Sequence, residues 1–246
     1  MVFCFLLLAS FCDCFISLLF VSLFKGHFTT TLCEIVVCFS HLQYLQSELV
    51  VCGEMSVSIE LDHSIGNNAI SNCLVYHPNK ENYIYSSGWS VGIGNLTDIH
   101  SQEFLRQHDD SVTCLALSSS GSLIASGQNG RNADIIVWAF AQKQAIFSFE
   151  EHDFGVKCLS FSPDEKLLAS IGTEEDGKLI IWDLSNGCIV AASPKLPPGT
   201  TSLACGGFVR DIKRRETEYY QFCTAGREGV VMWELNPYTG EMISNK

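Results

Sequence analysis

The side chains able to do chemistry in this sequence are few and scattered. There are seven histidines: His27, His41, His63, His77, His100, His108 and His152. No two stand at the His-x-x-x-His spacing that puts two imidazoles on one helical face for zinc, and none accompanies a Gly-x-Ser-x-Gly nucleophile turn. The twelve cysteines include no Cys-x-x-Cys pair of the kind that grips a metal with two thiolates. Asp109-Asp110 and Glu174-Glu175-Asp176 bring carboxylates together, but loop carboxylates are ordinarily just solvated. Ser90-Val91-Gly92-Ile93-Gly94 is glycine-rich, yet no Gly-Lys-Ser/Thr follows to cradle a phosphate. The reading is therefore of no catalytic residue, no metal ligand, no cofactor and no small-molecule substrate.

Two histidines do recur in a pattern. His108 and His152 are 44 residues apart, and so are Cys114 and Cys158, Ser126 and Ser170, and Trp138 and Trp182. A fixed period of about 40–45 residues ending in Trp marks stacked four-stranded units. A looser copy runs from Ser202-Leu203-Ala204-Cys205 through Phe222-Cys223-Thr224 to Met232-Trp233, with Trp233 lying 51 residues beyond Trp182. The extra seven residues are expected in a charged loop at Arg210–Glu218. A degenerate copy begins at Cys73-Leu74-Val75-Tyr76-His77-Pro78 and carries Gly94 where the Trp belongs.

The local patterns are those of strands. Val156-x-Cys158-Leu159-x-Phe161 alternates with the period of two expected of a pleated strand. Ser162-Pro163-Asp164-Glu165 reads as a turn, with Pro presetting φ at its second position. Ile135–Trp138 and Leu179–Trp182 are short apolar runs that suit strands packed on both faces. Helical periodicity is absent after residue 55. Cys114 and Cys158 read as small buried hydrophobes, and the cysteines as free thiols rather than a disulfide framework.

These segments resemble WD40 repeats, and the fold that the resemblance implies is an all-β WD40 β-propeller with about four blades. In that family a His, a Ser or Thr, an Asp and a Trp tie each blade by hydrogen bonds. The matching positions here are His152, Ser170, Asp176 and Trp182 in one blade and His108, Ser126 and Trp138 in the blade before. In the last blade they are Thr224 and Trp233. The physical logic is that a buried indole N–H and a buried imidazole need partners. Asn132 stands at the Asp position of the second blade, and Glu228 lies one residue off it in the last.

Ser58–Gly66, Phe104-Leu105-Arg106-Gln107-His108, Ala125-Ser126-Gly127-Gln128 and Ala133-Asp134-Ile135-Ile136-Val137-Trp138 are also similar to the ciliary and flagellar WD-repeat family. The echinoderm microtubule-associated family shares the Ala-Ser-Gly-Gln and Ile-Val-Trp style. The resemblance implies a scaffold in axonemal doublet microtubules, near the inner junction, with tubulin or other axonemal proteins as partners. A generic cytosolic adaptor for a signalling or ubiquitin complex is the alternative. Because four blades lie at the low end of known propellers, these are expected to be the first blades of a longer ring.

Residues 1–54 differ in kind from residues 55–246. Phe, Leu, Val, Ser and Cys make up 35 of the 54, with no Arg, Pro or Asn. That is the composition of translated T-rich non-coding sequence, so the native chain is expected to begin at Met55. The alternative is a membrane anchor, because residues 2–24 are almost wholly apolar, with one charge at Asp13, and long enough to span. In that case the blades would face the cytosol. The net charge of −12 and pI near 4.9 disfavour nucleic acid. Lys213-Arg214-Arg215 is the only basic run and reads as a solvated loop. Asn95-Leu96-Thr97 is a glycosylation sequon only if that region is extracellular.

Overall fold

A computed structural model describes residues 61–67, 70 and 72–245, together with the backbone of four short strands before them. Those strands are β1 (Leu23–Phe24), β2 (His27–Phe28), β3 (Leu49–Val51) and β4 (Met55–Val57). The β1–β2 pair belongs to a separate unit, residues 1–38, and all that follows concerns the second unit, residues 39–246. The expected apolar segment, including the candidate span over residues 2–24, lies outside the described residues apart from these strand backbones.

Four antiparallel sheets of four strands follow, each in sequential order. The first blade holds β5 (Leu74–Tyr76), β6 (Asn82–Ser87), β7 (Ser90–Asn95) and β8 (Gln102–Arg106). The second holds β9 (Val112–Leu117), β10 (Leu123–Gln128), β11 (Ala133–Ala139) and β12 (Gln144–His152). The third holds β13 (Val156–Phe161), β14 (Leu167–Gly172), β15 (Leu179–Asp183) and β16 (Ile189–Ser193). The fourth holds β17 (Thr200–Arg210), β18 (Glu216–Gly226), β19 (Gly229–Leu235) and β20 (Met242–Asn245).

The apolar runs have a geometric cause. Successive side chains of a strand point to opposite faces, and here both faces are covered by neighbouring blades. On β11, Ile136 and Trp138 join the core between the first and second blades. The alternate residues Ile135 and Val137 join the core between the second and third. On β15, Ile180 and Trp182 face the second blade while Leu179 and Ile181 face the fourth. Trp138 and Trp182 therefore each pack against the blade before their own. Trp182 stacks on Phe149 of β12 with centroids 4.2 Å apart.

The first blade lacks a Trp on its third strand, where Gly94 stands, and its Trp89 is an exposed turn residue. Tyr83 and Tyr85 lie across Gly94 and Gly92 of the paired strand β7, so closely that a Cβ on either glycine would collide with a ring. Ser90–Gly94 is thus a strand under two aromatic rings.

The turn between the first two strands has one design in all four blades. Four residues form a turn closed by an N–H···O bond, and the last residue is left-handed. These are Lys80 (φ 64°), Gly121 (φ 81°), Glu165 (φ 60°) and Arg214 (φ 60°). This is a type I turn followed by a left-handed residue, a common hairpin connection.

The fourth blade departs from the sequence reading. No loop spans Arg210–Glu218. Instead β17 and β18 run on to eleven residues each, and the connection is only residues 211–215. Thr217 Oγ1 donates to the Val209 carbonyl, and pairing reaches Arg210 with Glu216 across two register shifts on β17, so the added residues extend the ladder.

Candidate functional site

The expected site residues fall into three buried clusters, one each in the second, third and fourth blades. In the third, Trp182 Nε1 donates to Ser170 Oγ at 3.0 Å, and His152 Nε2 lies 2.9 Å from the same oxygen. His152 Nδ1 donates to Asp176 Oδ2 at 2.7 Å, and neither side chain is exposed. The Asp153 backbone N–H donates to Asp176 Oδ1. Burial alone would raise the Asp176 carboxyl. The hydrogen bonds and charge of His152 and the two backbone N–H groups outweigh it and hold the group below 3.8.

In the second blade Trp138 Nε1 donates to Ser126 Oγ at 2.8 Å, and His108 Nε2 lies 2.6 Å from that oxygen. Asn132 takes no part in this set. Gln128 occupies the acceptor position, with Oε1 2.7 Å from His108 Nδ1. Its Nε2 donates to Asp109 Oδ1, which turns the amide oxygen toward the imidazole. Nδ1 then carries the proton, and bare Nε2 accepts from the Ser126 hydroxyl. Burial holds the His108 imidazole below its ordinary value of 6.5, despite Gln128 and Asp109 pulling the other way.

In the fourth blade Trp233 Nε1 donates to Thr224 Oγ1 at 2.9 Å, and Thr224 is buried. Glu228 is exposed and outside the set. Hydroxyl, imidazole and carboxylate or amide are all consumed by one another in these clusters. The fourth-blade set borders a cavity, where Thr224 lines a space of about 120 Å³ with Pro197, Thr200 and Val231.

A second system links neighbouring blades at the opposite end of the strands. His77 Nε2 donates to the Gly121 carbonyl at 3.0 Å, joining the first two turns. Glu165 receives the Ser120 N–H and Oγ–H and the hydroxyls of Ser119 and Ser122, joining the second and third. Tyr220 OH donates to Asp164 Oδ2 at 2.6 Å, joining the third and fourth. Burial tends to raise Asp164, but hydrogen bonds from Ser162 and Tyr220 prevail and hold it low. Sequence reasoning gave no role to His77, Glu165 or Tyr220. The available signal was positional: His77 stands four residues after Cys73, as Ser118 follows Cys114 and Ser162 follows Cys158.

A third system is a row of thiols on, or in the case of Cys73 just before, the first strands. Cys73 Sγ donates to the Val112 carbonyl, Cys114 to Val156 and Cys158 to Thr201 at 3.1 Å, each reaching the next blade. Burial raises all three thiols. Among the described residues no three His, Cys, Asp or Glu side chains are grouped to hold a metal ion. Among the same residues no helix is long and apolar enough to cross a membrane.

Comparison with known proteins agrees with this geometry. The family model "WD domain, G-beta repeat" matches residues 99–139 and 143–183. Cilia- and flagella-associated protein 52 of Chlamydomonas reinhardtii is 44% identical over 96 residues, which is 37% of this chain and 16% of that protein. The Homo sapiens protein of that name is 40% identical over 92 residues, 36% of this chain and 15% of the relative. The matches thus span about a sixth of those relatives' length.

Among solved structures, a chain of the mitotic checkpoint complex superposes with TM-score 0.57 at 19% identity, over 71% of this chain and 50% of its own. The RRP9 WD40 repeats give TM-score 0.57 at 21% identity, over 73% of this chain and 52% of theirs. At that identity the likeness speaks for the fold alone. Repeat spacing, Trp-centred clusters and blade topology converge, and this chain carries WD40 repeats folded as consecutive β-propeller blades.

Proposed function

We propose that this chain is a non-enzymatic WD40 scaffold of the cilium or flagellum, built into axonemal doublet microtubules at the inner junction and supporting motility. The observation that carries the reading is the 44% identity, over 96 residues, to a protein named for cilia and flagella. The propeller fold implies protein–protein interaction, and the buried polar groups described above are engaged in holding blades rather than free for catalysis. The partners in this reading are tubulin or other axonemal proteins. Residues 55–246 carry the scaffold, and residues 1–54 are no part of it.

The test is to tag the endogenous protein at its C-terminus, extract cells with detergent and image what remains. Signal retained along the axoneme is expected. Release as a soluble pool would replace the axonemal reading with that of a cytosolic adaptor. Signal on membranes, lost with them, would make the apolar segment a genuine anchor.

A further inference from the structure

The fourth blade carries a hairpin that outgrows its own sheet. The last pair joining β18 to the third strand is Tyr220 with Leu235, so Glu216–Tyr219 have only β17 beside them. In the third blade the corresponding strand starts at Leu167, already paired with Asp183. Four residues at about 3.4 Å each carry the turn roughly 14 Å past the sheet.

The base of this projection is fixed. Tyr220 hydrogen-bonds Asp164 and its ring lies 4.9 Å from that of Phe208. The tip is fixed as well. Arg210 pairs with Glu216 at 3.2 Å, and Arg215 with Asp211 at 2.9 Å. The Arg214 N–H donates to the Asp211 carbonyl, which closes the turn.

That bracing singles out three side chains. Among the described residues no carboxylate lies within ion-pair distance of Lys213 or Arg214, although each has an acidic residue within three positions. Ile212 between them and the strand is fully exposed, at 104%. A projecting hairpin ending in one bare isoleucine and two cations without an ion-pair partner stands on a chain whose net charge is −12.

We infer that this hairpin tip is a docking element for an acidic polypeptide segment, with Ile212 set in an apolar spot and Lys213 and Arg214 meeting carboxylates. Two cations beside an apolar side chain match a few carboxylates on a polypeptide better than a nucleic acid or a membrane surface. Two cations at a protein rim steer and align a partner. Nucleic acid and anionic membranes instead need a broad basic field, and the net charge of this chain has the opposite sign. The inference rests on the scaffold reading but not on the axonemal one, since it concerns partner chemistry rather than location.

The test uses the purified full chain and a short fluorescein-labelled glutamate-rich peptide, followed by anisotropy at rising NaCl. Phosphatidylserine vesicles and a single-stranded oligonucleotide serve as the other anionic probes. The peptide is expected to bind in a salt-sensitive way. Lys213→Glu with Arg214→Glu should weaken it about tenfold or more, as reversal of contacting rim charges does. Ile212→Ser should weaken it without changing the salt dependence, and Lys195→Glu, an exposed lysine elsewhere, should leave it unchanged. Tryptophan fluorescence checks that the tip variants keep the fold. Absence of peptide binding would overturn the inference, as would full affinity in the double reversal or tighter binding of vesicle or oligonucleotide through the same residues. Axonemal retention is a separate measurement, so either reading can fail without the other.

Discussion

His108 Nδ1 lies 2.7 Å from Gln128 Oε1, at the place where His152 meets the Asp176 carboxylate in the next blade. One blade is locked by a neutral amide and its neighbour by a charge. The two locks therefore answer to different pH windows. The folded pKa of His108 is depressed below 6.5, so below that pH the unfolded chain takes the proton first. Stability is full above about 6.5 and falls as pH drops from there to the folded value. Asp176 is also depressed, here below 3.8, so its contribution is full above 3.8 and is lost as pH falls from 3.8 through its folded value. Urea midpoints measured across pH should show two separate declines. His108→Gln should remove the upper one, and Asp176→Asn should shrink the lower, to which Asp164 and Glu165 also contribute.

The shared hydroxyls should differ in worth. Ser170→Ala leaves both Trp182 Nε1 and His152 Nε2 without a partner, whereas Thr224→Val strands only Trp233 Nε1. Each buried group left unpaired costs roughly 1–3 kcal/mol. Ser170→Ala is expected to be the more damaging by about one such increment, read from chemical denaturation.

Glu165 poses a different balance, since it spans two blades from a left-handed backbone. Glu165→Ala removes the clamp on Ser119, Ser120 and Ser122 and keeps the strained φ. Glu165→Gly removes the clamp but relieves roughly 1 kcal/mol of left-handed strain. The glycine variant should be the more stable of the two by about that amount. Equal stability would mean that the turn stores no strain.

The thiols should sort by position. Cys188 is exposed, while Cys73, Cys114 and Cys158 are buried and raised. Pulsed alkylation followed by mass spectrometry should label Cys188 in native protein. The buried three should be labelled only at the rate of unfolding.

Much of this was written in the chain. The 44-residue period, the Trp positions and the two-sided apolar strands are legible because the second and third blades bury both faces in the same register. Gln128 escaped because the ladder shifts register between Gly127 and Gln128, turning that side chain toward His108. Its neighbour Asn132, at the expected position, is left in the turn. Glu165 and Tyr220 escaped because their partners stand 45 and 56 residues away in other blades, beyond any local pattern. The long hairpin was visible as extra residues, but length alone does not distinguish a loop from a continued ladder. The pairing of Arg210 with Glu216 across the ladder decides it here.

The alternation along β11 and β15 has one more consequence. Because odd and even residues of a single strand serve different cores, the blades are coupled only to their nearest neighbours, as spins are in a one-dimensional lattice. Ile180 and Ile181 are adjacent in sequence yet belong to different couplings. Truncating the first should loosen the boundary with the second blade and truncating the next the boundary with the fourth. Damage is thereby confined to a single boundary instead of spreading around the arc.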